Sequence, residues 1–207
     1  MEQQTTPHTH GLVLHWATRY DLIAWLLTHG RERELRERIL RLAAPGTGDA
    51  ILDIGCGTGT LAIAAAPHVG ESGEVIGIDA SPEMIARADR KAAKAGSSAR
   101  FQVALAEDLP FTDRRFDVVL STLMLHHLPR PTRQRCAKEI KRVLRPHGRV
   151  LAVDFGAGNT RGFLAHFHRH GHVDVQDIMS TFAEAGLTTT QSGPVGMVDL
   201  NFVLAAA

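Results

Sequence analysis

The chain has 207 residues, 44% hydrophobic and 22% charged, which is typical of one soluble globular domain and argues against a disordered or collagen-like protein. Its 23 lysines and arginines nearly balance its 22 aspartates and glutamates, so a net charge of +1 gives no reason to expect nucleic acid as the main partner. Two cysteines, Cys56 and Cys136, cannot form a disulfide framework, and no apolar run reaches the length of a membrane span. We therefore expect a soluble, cytoplasmic protein with a small-molecule partner and no nucleic acid.

Residues 11–44 are predicted to form helices. One apolar stripe at helical spacing runs through Leu12, Trp16, Tyr20, Ile23 and Leu27, and the segment RERELRERILRLA predicts a second helix that is densely charged on one side. We expect residues 1–44 to form a helical cap or lid over the rest of the chain. Peripheral contact with a membrane through Trp16 and Trp25 is the alternative.

Strand and helix patterns then alternate regularly. Short apolar runs predict buried strands at 50–54, 74–78, 100–104, 116–121 and 149–154, and helical stretches lie between them at 60–67, 82–95 and 131–144. Strands that are separated by helices must pair in parallel, because a parallel neighbour is reached only by a crossover connection.

The pattern changes near residue 175. A helix is predicted near 175–186, ending at Gly186, and two strands near 187–192 and 197–204 are joined by the short segment SGPVG, which requires an antiparallel hairpin. Residues 45–207 are thus predicted to form an α/β domain with a Rossmann-like, doubly wound, seven-stranded sheet. Five of its strands are parallel and the last two form the C-terminal hairpin.

A glycine-rich turn follows the first predicted strand in the segment ILDIGCGTG. Gly55, Gly57 and Gly59 stand at alternate positions, whereas dinucleotide-binding enzymes carry G-x-G-x-x-G. Glycine allows the main chain to approach a ligand closely, because a β-carbon would occupy that space. Asp53 would repel a pyrophosphate but suits an ammonium group, and the helix that follows favours a carboxylate at its start. This combination indicates a ligand with an amino acid end.

A second carboxylate lies at the end of the next strand. Asp79 follows Gly59 by 20 residues, in the position where an acidic side chain accepts hydrogen bonds from both ribose hydroxyls. An amino acid joined to a ribose suggests S-adenosylmethionine as the cofactor. A nicotinamide-dependent oxidoreductase is the enzymatic alternative.

The sequence resembles the class I S-adenosylmethionine-dependent methyltransferases over most of residues 45–204. Four segments carry this resemblance in the family's order and spacing: ILDIGCGTG, VIGIDASPEMIARA, AEDLPFTDRRFDVVLST and LRPHGRVLAVDF. The resemblance implies S-adenosyl-L-methionine as cofactor and small-molecule methylation as activity. It also implies cofactor-binding residues, which here are Tyr20, Asp53, Gly55, Cys56, Gly57, Gly59, Asp79, Ala80, Met84, Ala106, Glu107 and Ser121.

One segment departs from the family pattern. Related methyltransferases often carry an aspartate that receives the adenine amino group, and Leu105 stands in its place here. The adenine contact would then come from Glu107, from Asp108 or from the backbone at Ala106, and we expect Ala106 and Glu107. Met84 and Leu105 either enclose the adenine ring or pack in the core.

The catalytic candidates are histidines in STLMLHHLP, after the fourth strand. The phosphoethanolamine methyltransferases have a similar histidine, paired with an N-terminal tyrosine that closes over the cofactor. The resemblance implies a latch between Tyr20, the only tyrosine, and His127, with His126 as a further candidate. The alternative is that these side chains are structural.

The acceptor is not determined by the sequence. The N-terminal segment is similar to that of ubiquinone and menaquinone biosynthesis methyltransferases and of phospholipid-headgroup amine methyltransferases, so an amine, a phenol or quinol, or a lipid headgroup could accept the methyl group. A protein that binds the cofactor without turnover is also possible. The alternating His166, His168, His170 and His172 could bind a metal, but no acidic or cysteine partner is near, and we expect none.

Overall fold

A computed structural model describes residues 31–155, 173–197 and 199–207. The helices within these ranges are α1 (Glu32–Ala43), α2 (Thr60–Val69), α3 (Pro82–Ala95), α4 (Arg130–Val143) and α5 (Val175–Glu184). The strands are β1 (Ala50–Ile54), β2 (Glu74–Asp79), β3 (Arg100–Val103), β4 (Phe116–Thr122), β5 (Leu144–Phe155), β6 (Thr188–Pro194) and β7 (Leu200–Ala206). A short 3-10 turn, Leu125–His127, lies between β4 and α4.

All seven strands belong to one sheet in the order β3-β2-β1-β4-β5-β7-β6. The first five pair in parallel, whereas β7 is antiparallel to both β5 and β6. The predicted doubly wound sheet of five parallel strands and an antiparallel hairpin is therefore confirmed. The reversal of direction at β7 places the hairpin beside the last parallel strand.

Three strands, β5, β6 and β7, differ from the prediction by more than one residue at an end. β5 begins at Leu144, directly after α4, because Leu144 already pairs with Phe116 before a register shift between Phe116 and Val118. The hairpin strands lie a few residues later than expected, since Gly193 and Pro194 belong to β6 and not to the turn. β6 is an edge strand, where a proline can face away from the sheet without losing a ladder hydrogen bond.

Apolar side chains cover both faces of the sheet. Every residue of β1 is buried, because this strand lies between β2 and β4 and is covered on both sides. Leu52 and Ile54 pack on the face covered by α4 and α5, and Ile51 packs on the face covered by α1 and α2. The alternation of β1 side chains thus joins the two halves of the core.

Helix α1 is part of this core although it precedes the predicted domain boundary at residue 44. Leu35, Ile39, Leu40 and Ala43 are buried in the same cluster as Ile51 of β1. The division into a cap (1–44) and a cofactor-binding domain (45–207) stays a prediction, since residues 1–30 lie outside the described ranges. No helix of the described residues has both the length and the apolar composition that crossing a membrane requires.

Substitution of Gly59 tests why the turn after β1 needs glycine. Gly59 has φ +76°, and a β-carbon there would stand 2.6 Å from the Phe101 ring and 2.8 Å from Cβ of Ala88. We expect Gly59→Ala to lower the free energy of unfolding by about 2–5 kcal/mol, because left-handed strain and overpacking add. Urea denaturation measures the loss.

The matched control is Gly96→Ala. Gly96 has φ +61°, but no atom lies within 4 Å of the position that a β-carbon would take. Gly96→Ala should therefore lower the free energy of unfolding only through the strain of the left-handed backbone, by about 1 kcal/mol. Equal losses in the two variants would show that the packing of Phe101 against the turn contributes nothing.

Candidate functional site

The glycine turn between β1 and α2 is fixed against the end of β2. Gly55, Gly57 and Gly59 all have positive φ, at 71°, 53° and 76°. The backbone amides of Gly55 and Cys56 both donate to the carbonyl of Ile78, at 2.9 Å each. Alternate left-handed residues thus fold the chain sharply, and two of the turn's amides are paired with the neighbouring strand.

Protein atoms fill the space beside two of these glycines. A β-carbon at Gly55 would stand 2.3 Å from Cγ of Met124, and one at Gly59 would overlap the Phe101 ring. Close packing within the protein is therefore sufficient to explain the glycines at 55 and 59. That Gly55, Gly57 and Gly59 contact a ligand stays a prediction.

Asp79 connects the glycine turn to α3. Its Oδ2 accepts a hydrogen bond from the amide of Gly57 at 3.0 Å, and its Oδ1 accepts one from the amide of Ser81 at 2.9 Å. Burial raises the pKa of this carboxyl group, and the two amides oppose the rise. Each carboxylate oxygen can accept a second hydrogen bond, so Asp79 keeps acceptor capacity toward a ligand.

Asp53 is an almost fully buried carboxylate near the end of β1. It is 2% exposed, and within the described ranges its Oδ2 has no hydrogen-bond partner. Burial, followed by repulsion from Asp79, raises its pKa to about 7, although the amide of Ala62 favours the charged form. A buried carboxylate oxygen without a partner is costly unless a ligand completes it.

Cys56 lies beside both carboxylates and is half-buried. Burial, together with the charges of Asp53 and Asp79, raises the pKa of its thiol well above the usual value. The thiol is therefore neutral near pH 7, which is unsuited to a nucleophile.

The predicted adenine-binding residues lie in a tight turn after β3. The amide of Ala104 donates to the carbonyl of Asp79 at 3.1 Å, so the turn begins beside that residue. Leu105 and Asp108 form an isolated bridge, which places Ala106 and Glu107 at the middle of the turn. Ala80 follows Asp79 directly, and Met84 is buried, as its core-packing alternative requires.

The end of β4 contributes two hydroxyl groups. Oγ of Ser121 and Oγ1 of Thr122 are both buried, and neither has a hydrogen-bond partner in the part of the chain that the structure describes. Asp53 pairs in register with Leu120, so Asp53 and Ser121 lie on opposite faces of the sheet. Thr122 was not among the predicted residues. The signal that could have indicated it is a polar residue at the end of an apolar strand.

The two candidate histidines occupy the 3-10 turn after β4, and their environments differ. His126 contacts Asp154 of β5, with 2.7 Å between Nδ1 and Oδ1. Burial, and then the neighbouring His126, lowers the pKa of His127 to about 4. Sequence reasoning did not select Asp154, although a carboxylate inside the apolar run LAVDF was visible.

Several predicted residues fall on parts of the chain that lie outside the described ranges. These are Tyr20 and its latch to His127, the tryptophans Trp16 and Trp25, and the cluster His166, His168, His170 and His172. Among the residues that the structure does describe, no group of three or more histidine, cysteine, aspartate or glutamate side chains could hold a metal ion.

The raised pKa of Asp53 predicts how stability depends on pH. A carboxyl group whose folded pKa lies above its unfolded value of about 3.9 favours folding at low pH, and this contribution is lost as the pH rises through about 7. Without ligand, Asp53→Asn should therefore be more stable than the wild type at pH 8, by up to about 4 kcal/mol, and the gap should narrow toward pH 4.

Urea denaturation at pH 4, 6 and 8 measures this gap. Asp89→Asn, at an exposed carboxylate on α3, is the matched control and should show no such trend. A gap that is constant across the pH range would mean that Asp53 does not carry the titration.

Comparison with known proteins identifies the fold and its relatives. A family profile described as "Methyltransferase domain" matches residues 51–148. The chain is 37% identical over 145 residues to the demethylmenaquinone methyltransferase of Lactobacillus johnsonii, covering 68% of this chain and 58% of that protein. It is 33% identical over 141 residues to a ubiquinone/menaquinone biosynthesis C-methyltransferase of Geotalea daltonii, covering 67% and 59%.

A solved structure extends the likeness over nearly the whole chain. The S-adenosylmethionine-dependent methyltransferase of Aquifex aeolicus superposes with a TM-score of 0.76 at 22% identity, covering 92% of this chain and 96% of that one. The chain spans about three fifths of the length of the curated relatives named above. With the sheet order and the glycine turn, these similarities establish that the chain belongs to the class I S-adenosylmethionine-dependent methyltransferases.

Proposed function

We propose that this protein transfers a methyl group from S-adenosylmethionine to a hydroxyl-bearing aromatic acceptor of the quinol type. One observation carries the cofactor half of this proposal. Asp53 and Asp79 are neighbouring, largely buried carboxylates at the ends of β1 and β2, and neither forms an ion pair with a cationic side chain in the described ranges. Such a pair requires a ligand that brings positive charge and hydrogen-bond donors.

S-adenosylmethionine meets both requirements. Its ammonium group would donate to the unpartnered Oδ2 of Asp53, and its ribose hydroxyls would donate to Asp79. A nicotinamide dinucleotide would instead bring a pyrophosphate toward two carboxylates, which repel it. The charge of the site thus favours the sulfonium cofactor over the oxidoreductase alternative.

The turn at 105–108 suits the base of the same ligand. Ala106 and Glu107 follow a segment that begins with the hydrogen bond from the Ala104 amide to the carbonyl of Asp79, so the turn lies next to the predicted ribose contact. Backbone groups at Ala106 can pair with an adenine edge without any particular side chain. This explains how Leu105 can replace the aspartate that the family often carries.

The main task of the protein in this reaction is to position the acceptor relative to the methyl group. When bound, the sulfonium supplies an electrophilic methyl group. The residues around it need to hold the acceptor atom about 3–3.5 Å from that carbon and in line with the bond that breaks. A hydroxyl acceptor also benefits from a base that removes its proton.

The acceptor class is supported by the relatives and by the side chains at the ends of β4 and β5. The curated relatives are named for quinone substrates. In this chain the rings of His126 and His127 lie 3.9 Å apart between centroids, and the ring of Phe155 lies 5.2 Å from that of His126. Planar side chains of this kind suit a flat aromatic acceptor.

A labelled-methyl assay tests the acceptor. With S-adenosylmethionine carrying a labelled methyl group, we expect transfer to reduced 1,4-naphthoquinone and little or none to phosphoethanolamine. Mass spectrometry and NMR of the product locate the new methyl group. Transfer to phosphoethanolamine alone would contradict the quinol proposal, and cofactor binding without transfer to any acceptor would favour a protein that binds the cofactor without turnover.

Asp79→Ala tests the cofactor site. Losing a charged hydrogen-bond acceptor should weaken S-adenosylmethionine binding by about 1–3 kcal/mol, which is roughly 5-fold to 150-fold in the dissociation constant. Isothermal titration calorimetry measures the affinity, and circular dichroism verifies the fold. Asp89→Ala, at the exposed carboxylate on α3, should bind as the wild type does. Unchanged affinity in Asp79→Ala would remove Asp79 from the site.

A further inference from the structure

Asp154 and His126 form a buried hydrogen-bonded pair at the ends of neighbouring elements. Asp154, on β5, is 1% exposed. Its Oδ1 lies 2.7 Å from Nδ1 of His126 and also accepts a hydrogen bond from the amide of Phe155 at 2.8 Å. Its Oδ2 accepts one from the backbone amide of His126 at 3.2 Å. The carboxylate therefore fixes both the backbone and the ring of one histidine.

The turn that carries His126 is held at both ends. Leu123 has φ +54°, a conformation that is costly for leucine, and its amide donates to the carbonyl of Val153 at 2.8 Å. On the other side, Nη1 of Arg133 donates to the carbonyls of Leu128 at 3.0 Å and Leu125 at 3.4 Å. Arg133 is only 8% exposed, so its charged side chain is largely buried beside this turn.

The contact with Asp154 determines which nitrogen of His126 carries the proton. A carboxylate only accepts hydrogen bonds, so Nδ1 must donate, and the lone pair of the neutral ring then resides on Nε2. No hydrogen bond to Nε2 is present among the described residues, and the side chain is 18% exposed. His126 therefore offers a proton acceptor at Nε2, on a side chain that is partly exposed.

His127 lacks this arrangement. Its ring forms no side-chain hydrogen bond within the described ranges, and burial lowers its pKa to about 4. A base with so low a pKa holds a proton weakly. Of the two histidines, His126 is the one that has an orienting carboxylate.

We infer that Nε2 of His126 is the general base that removes the hydroxyl proton of the acceptor, with Asp154 and Arg133 as positioning residues. This inference rests on the proposed function, because it needs an acceptor that carries a hydroxyl group. It transfers the main catalytic role from His127 to His126. It also assigns roles to two residues that the sequence pattern did not indicate.

The proposed methyl transfer begins with removal of the hydroxyl proton by His126. The acceptor O–H bond breaks, its proton moves to Nε2, and the negative charge spreads from oxygen into the ring. A ring carbon then forms a bond to the methyl carbon, while the electron pair of the carbon–sulfur bond stays on sulfur. The hydrogen on that ring carbon leaves to water, and His126 returns its proton to the oxygen. One proton is released overall.

The variants His126→Asn and Asp154→Asn test separately the role of His126 as base and the role of Asp154 in orienting it. Asparagine at 126 can still donate to Asp154 but has no basic nitrogen. Asparagine at 154 can donate to Nδ1 and so moves the imidazole proton to Nε2, where it blocks the base. With reduced 1,4-naphthoquinone, we expect kcat to fall by about 10²–10⁴ in both variants, with little change in S-adenosylmethionine affinity.

The pH profile distinguishes a lost base from a structural defect. The variants should lose the acidic limb of the wild-type kcat/KM profile. Their deficit should shrink near pH 10, where a phenolic hydroxyl ionises unaided. The groups that set the charge around His126 are Asp154 from β5, His127 in the same turn, Arg133 from α4 and, through Arg133, Asp177 from α5. His147→Asn, at an exposed histidine with φ +68°, is the matched control and should keep the wild-type profile.

Nitrogen NMR of the histidine rings tests the pair without any acceptor. In the wild type, the neutral ring of His126 should carry its proton on Nδ1 and not on Nε2, with the signal assigned by its loss in His126→Asn. Asp154→Asn should reverse the tautomer. A neutral wild-type ring with its proton on Nε2, or a tautomer that Asp154→Asn leaves unchanged, would overturn the inference.

Different results would contradict the proposal of a quinol acceptor and the inference that His126 is the base. If the wild type binds S-adenosylmethionine but does not methylate reduced 1,4-naphthoquinone, the acceptor proposal fails, and the NMR measurement still decides the tautomer on which the base depends. If the wild type methylates the probe and His126→Asn retains its rate and its acidic limb, the acceptor proposal stands and His126 is not the base.

Discussion

The burial of negative charge at the carboxyl ends of the central strands is the constraint on which the rest of the site depends. Asp53 belongs to a strand that is covered on both faces, so its charge has no access to water. Asp79 lies one strand away and adds repulsion. A sheet with this arrangement is not optimised for stability in the absence of a ligand, and the cationic ligand that we propose follows from the need to compensate that charge.

The sheet also explains why binding and proton transfer can occupy different faces. Asp53 and Ser121 point to opposite faces because they differ by one residue in register. Asp154 follows Ala152 by two residues, and Ala152 pairs with Ser121, so Asp154 lies on the Ser121 face. The residue that we propose for the ammonium group of the cofactor and the carboxylate that we propose to orient the base thus lie on opposite faces of the sheet.

The fold could be predicted from the sequence more completely than the site could. Alternating apolar runs and helices determine parallel pairing, and the short SGPVG connection determines the hairpin. The start of β5 was harder to predict, because the pairing of Leu144 with Phe116 depends on a register shift that no local sequence pattern indicates. Asp154 was missed for a similar reason, since its role depends on His126, which lies 28 residues earlier and is brought close only by the pairing of β4 with β5. The glycines lie in the turn between β1 and α2, as the pattern predicted, but packing against Met124 and Phe101 already explains Gly55 and Gly59.

The position of β7 has a consequence for how the sheet is assembled. β7 follows every other strand in the chain, yet it lies inside the sheet, between β5 and β6. During synthesis on the ribosome, the edge of β5 that will pair with β7 therefore stays unpaired. The strand β6 has no neighbour to pair with until β7 has been synthesised. Assembly of this half of the sheet is a late step that joins distant segments, and the apolar edge of β5 is the surface that a chaperone would have to protect until then.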